Sequence, residues 1–96
     1  MLPLRATLIA SYDRICQSIC LDISFSKNYT HLSLPVERQV QDLIEKHWQE
    51  IALKLCNQPV NGIMLKELSW HLHHVARDIE RQTGMEIKLD DSRLVI

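Results

Sequence analysis

From residue 63 to residue 83 the chain carries neither glycine nor proline, and Leu65, Leu68, Leu72, Val75 and Ile79 step by three, four, three and four. That spacing is the period of one helix face. Asn61-Gly62 opens the run and Thr83-Gly84 offers an exit through a residue tolerant of the left-handed region. A rod of this length buries its apolar stripe only against other elements, so it dictates a helix-centred core. A second stripe, Val36, Val40, Leu43, Ile44, His47, Ile51 and Leu55, begins at Pro35 and is stopped by Asn57-Gln58-Pro59.

The rest of the chain reads less regularly. Leu4, Leu8, Tyr12, Ile15 and Ile19 step by four, four, three and four, which predicts a first helix from Leu4 to about Ser18, with Pro3 placed before it. Ile19, Leu21, Ile23 and Phe25 then alternate with polar residues, as do Thr30, Leu32 and Leu34, so a β-hairpin is predicted over 19–34 around Ser26-Lys27-Asn28. The competing reading extends the first helix to Asp22 and leaves a loop. A second hairpin is predicted over 86–96, turning at Asp90-Asp91-Ser92. With 96 residues, one domain over 1–96 is expected, since two cores would each be too small to fold unaided. Two glycines leave little material for the turns of an all-β fold. The expected class is α+β and helix-dominated: three helices with one or two short antiparallel hairpins.

Charge and cysteine usage narrow the setting. Eleven basic and twelve acidic residues leave a net charge of −1, so no global field draws the chain onto nucleic acid or an anionic membrane. The N-terminal apolar stretch is too short for a secretory signal or a spanning helix. Cys16, Cys20 and Cys56 are odd in number and form no C-x-x-C pair, which favours free thiols in a reducing cytoplasm. No cofactor and no membrane association are expected.

On a wheel at about 100° per residue, Trp70 falls opposite the core face of the last helix. Lys66, His73, His74, Arg77 and Arg81 surround it on the outer face, and Glu67, His71 and Asp78 line one flank. Tryptophan and arginine are the residues most enriched at binding hot spots, so Lys66, Trp70, His73, Arg77 and Arg81 are the expected partner contacts. The opposing expectation is that another element folds over Trp70 and makes it core. Trp48, on the shoulder of its helix, is expected in the core.

Other chemistries find weaker support. His71 and His74 share a face at i,i+3 and could ligate a metal with Glu67 or Asp78, but all lie on one helix, which rarely wraps a tetrahedral ion. Cys16 and Cys20, at i,i+4 on the first helix, could join His47 in a softer site, although free cysteines more often pack in cores. His47 itself reads as a core histidine with one hydrogen bond to a carbonyl or carboxylate. No nucleophile has a recognisable base, and two glycines cannot build a phosphate-cradling loop, so catalysis is not expected. A winged-helix nucleic-acid regulator is the main alternative, with Arg77 and Arg81 on the recognition helix and Asp90-Asp91-Ser92 as the wing tip. The unbroken register of the last helix and the acidic tip oppose it. The function expected is that of a small non-enzymatic adaptor or regulatory protein. It would bind a protein partner, or itself as a homodimer, through the outer face of the last helix.

Overall fold

The computed structural model describes residues 5–25 and 34–95. In chain order these form β1 (Arg5–Asp13), β2 (Ser18–Phe25), α1 (Leu34–Leu55), α2 (Gly62–Thr83) and β3 (Glu86–Arg93). The sheet order is β2-β1-β3, with β2 antiparallel and β3 parallel to the central strand. The α+β class stands, but the architecture is two helices on a three-stranded mixed sheet, not three helices with hairpins.

The first departure lies at β1. A step of four is close to one helical turn and is also two strand repeats, so Leu4, Leu8 and Tyr12 fit either element. The alanines decide between them. On a helix Ala6 and Ala10 would lie away from Leu8; on a strand all three share a face, and all three are buried. Their small side chains line the inner face of the sheet beside Leu8, where bulk would hold a helix off. Ile15, which the helical reading placed on the buried face, is 94% exposed in the turn between β1 and β2. Asp13 shapes that turn, its Oδ1 accepting from the backbone N–H of Ile15 at 2.9 Å and of Cys16 at 3.3 Å. These bonds hold the Asp13 carboxyl below its ordinary pKa. Gln17 completes the turn at φ 52°, in the left-handed region.

The predicted 19–34 hairpin is also corrected. Its first arm is a strand, but β2 pairs with β1, Leu8 facing Ile23 and Ala10 facing Leu21. Of the expected second arm, Thr30, His31, Leu32 and Ser33 lie outside the described residues, and Leu34 already begins α1.

At the C-terminus a single strand replaces the predicted hairpin. The Asp90-Asp91-Ser92 turn signal is real, because Asp90 Oδ1 accepts from both the N–H and the hydroxyl of Ser92. It makes a bulge, however, not a reversal. Ile9 pairs with Asp90 and Ser11 with Arg93, so Asp91 and Ser92 stand against Ala10 alone. Among the described residues no returning arm follows β3, so the hairpin expected as a wing over 86–96 is not formed there.

Both long helices fall where their periodicity places them. Asn61 caps α2, its side chain accepting from Met64 N–H at 2.9 Å. Gly84 ends it at φ 74°, its N–H donating to Glu80 O. Leu65, Leu68, Leu72, Val75 and Ile79 are all buried, together with Val40, Ile51 and Leu55 of α1 and with Leu8 and Ile87 of the sheet. Burying each such side chain contributes about 1.5–3 kcal/mol. Trp48 is half-buried against this core. The opposite face of the sheet is polar apart from Ile9 on the central strand, and Arg5 and Glu86 pair on it at 3.1 Å. Among the described residues no helix is long and apolar enough to cross a membrane.

Candidate functional site

The outward half of α2 divides into three strips with different partners. The first faces β3. Ser69 donates its hydroxyl to Asp91, and His73 Nε2 lies 3.9 Å from the same carboxylate oxygen. Two turns further on, Arg77 donates to the carbonyl of Ile87 at 2.7 Å, and Glu80 accepts from the Ile87 N–H at 2.9 Å. Arg77 and Glu80 are themselves paired at 3.1 Å. Guanidinium and carboxylate thus occupy the donor and acceptor places that a further strand would fill at the sheet edge. Ser69, Asp91 and His73 have the composition of a catalytic triad without its geometry. Serine and histidine both converge on the carboxylate, whereas nucleophilic catalysis needs the imidazole between them.

The second strip faces α1. His47 Nε2 and Asp78 Oδ2 are 2.8 Å apart, with the ring N–H donating to the carboxylate. This fulfils the expected hydrogen bond, although the histidine is half-buried and not sealed in the core. Gln82 at 2.8 Å and Arg81 at 3.5 Å also reach Asp78. His71 and His74 line the same groove, whose volume is about 280 Å³. Among the described residues no three histidine, cysteine or acidic side chains are grouped to hold a metal ion. Glu67, the third ligand considered with His71 and His74, is exposed.

Asp78 makes this helix–helix tie sensitive to acid. The hydrogen bond from His47 holds its carboxyl below the ordinary 3.8. A depressed folded-state value contributes stability above 3.8, and that stability is lost as the pH falls through the lower folded value. Asp78→Asn should therefore destabilise the protein at neutral pH, and its deficit relative to wild type should shrink as the pH drops below 3.8. Urea unfolding of both proteins across that range measures the deficit.

The third strip carries Trp70. Its indole is 59% exposed on the face away from its own core, as the wheel placed it. The rings of His71 and His74 meet it edge-on, with centroids 5.1 and 4.2 Å away. Ile63, 79% exposed, stands two turns before it, and Lys66 and Arg81 are exposed on the same side. The five predicted contacts are therefore not equivalent. Lys66 and Trp70 face solvent, His73 and Arg77 are exposed yet fastened to β3, and Arg81 reaches toward the α1 groove.

Sequence reasoning missed Ser69 and Glu80, and read Asp91 only as part of a turn and wing tip. Ser69, His73, Arg77 and Glu80 form a polar line at steps of four, four and three, which was legible as a stripe but not as a strand contact. The cysteine reading is also corrected. Cys16 lies in a turn and Cys20 on a strand, not one turn apart on a helix, and all three cysteines are exposed. The Asp13 charge raises the Cys16 thiol pKa, which disfavours the thiolate. No protein-family model, curated protein or solved structure matches this chain.

Proposed function

We propose that this chain is a small adaptor or regulatory protein that works by association, not catalysis, and that it docks through the outer face of α2. The carrying observation is the exposed Trp70 indole, met edge-on by two histidines on the outer face of α2. Leaving so large an aromatic surface in water forgoes burial that a partner would recover, and tryptophan is the residue most often found as an anchor. Lys66 and Arg81 supply a charged rim. A second copy of the chain is the simplest partner, since a domain this short gains most by burying a further patch against itself.

The test is the mass in solution at low and high micromolar concentration, for wild type and Trp70→Ala. Wild type should dimerise, and the variant should stay monomeric while its stability changes by no more than about 1 kcal/mol. A wild type that is monomeric at both concentrations, a variant that unfolds, or a mass that rises only with added nucleic acid would overturn the reading.

A further inference from the structure

Resting on that reading, we infer that the second copy joins at the stretch of the β3 edge that Arg77 and Glu80 leave open, by antiparallel strand pairing about Leu89. Among the described residues β3 is an outer strand. In a parallel ladder, alternate residues turn both N–H and C=O toward the neighbouring strand, and those between turn both away. The N–H and C=O of Ile87 turn outward, since Glu80 and Arg77 hold them, while its side chain lies in the core. Those of Leu89, two residues on, turn outward as well, and among the described residues no side chain bonds them. A groove of about 590 Å³ lies alongside, lined by His73, Arg77, Ile87 and Leu89 among others.

Charge selects the occupant and the register. With a two-fold axis at Leu89, its N–H and C=O bond reciprocally to the second copy's Leu89, and Lys88 faces the second copy's Asp90 twice on the open side of the sheet. Moving the axis one residue either way sets Lys88 against Lys88 or Asp90 against Asp90. An axis between residues sets outward groups against inward ones. At the β2 edge the open face carries Ser18, Cys20, Asp22 and Ser24, which hold no opposite charges to pair. Because Arg77 and Glu80 already satisfy Ile87, pairing stays confined to residues 88–90, and the two-fold closes the assembly as a dimer.

The same axis accounts for the α2 face. Ser69 sits at Asp91 and Arg77 at Ile87, so the helix runs antiparallel to β3. Four helical residues and two strand residues each advance roughly 6 Å, which sets His73 level with Leu89. Two α2 helices then lie side by side in opposite directions. Lys66 comes opposite the second copy's Glu80, and Trp70 meets the second copy's Arg77, an ion pair and a cation–π contact.

Sedimentation equilibrium of Lys88→Asp, read beside wild type and Trp70→Ala, tests this. The substituted carboxylate would face the second copy's Asp90 across the axis, and the dimer should weaken by about tenfold or more. In a chain with all three cysteines replaced by serine, His73→Cys should form a disulfide-linked dimer on oxidation. If Lys88→Asp dimerises like wild type, or His73→Cys stays uncrosslinked at concentrations where wild type dimerises, strand addition is wrong. In either case a monomeric Trp70→Ala would still uphold the α2 face. If Trp70→Ala also dimerises like wild type, both readings fall.

Discussion

Leu68→Ala should lower the unfolding free energy by about 2–5 kcal/mol, the range for emptying a leucine site in a packed core. Leu68 is fully buried near the middle of α2. Its removal cannot be relaxed cheaply, because both sides of the gap are rigid. The helix is capped at each end by Asn61 and Gly84, and in the sheet beneath it β1 is paired on both sides, with one bulge in β3 at Asp91-Ser92. For a domain of this size each kcal/mol moves the midpoint by about 4–8 °C, so the melting temperature should fall by about ten degrees or more. Two positions along the same helix, Trp70→Ala should move it by a few degrees at most. A thermal melt of the two variants side by side measures the contrast between the inner and outer faces of α2. Equal losses would place the indole in the core.

Glu80→Ala should cost about 1–3 kcal/mol, more than a surface glutamate usually contributes. Its carboxylate accepts the N–H of Ile87, a residue only 1% exposed, and it pairs with Arg77. Truncation leaves that N–H without its acceptor and the guanidinium without its counter-charge. Glu80→Gln keeps an acceptor oxygen at the same reach and should recover part of the loss. Guanidinium unfolding of the three proteins gives the ranking wild type, Gln, Ala. If Gln and Ala are equally destabilised, the ion pair with Arg77 and not the bond to Ile87 holds the strand edge.

The outer face of α2 was legible because it depends on one helix alone. Given an uninterrupted rod, the angle between Trp70 and the Leu68–Leu72 stripe follows from helix geometry. The roles of Arg77 and His73 were not legible. Both sit on the outer arc of the wheel, but which neighbour they meet depends on where β3 lies, and nothing local to α2 encodes that. His47 and Asp78 show the same division. A hydrogen-bonded histidine in the α1 stripe was foreseeable, whereas its partner, thirty-one residues away, was chosen by the way the helices pack.

What the sequence by itself determined about this protein is its two helices, their ends and the face each turns inward. Those rest on contacts within a turn or two of chain and on a repeat with no strand counterpart. The sheet was decided in three dimensions. Residues 5–13 carry spacings that suit helix and strand alike, and the strand prevails because β2 and β3 pair on either side and bury Ala6 and Ala10 with Leu8. At Asp90-Asp91-Ser92 the local turn forms, yet a parallel ladder with β1 carries the chain onward as a bulge. A strand's bonds lie outside itself, so its place is known only when its neighbours are.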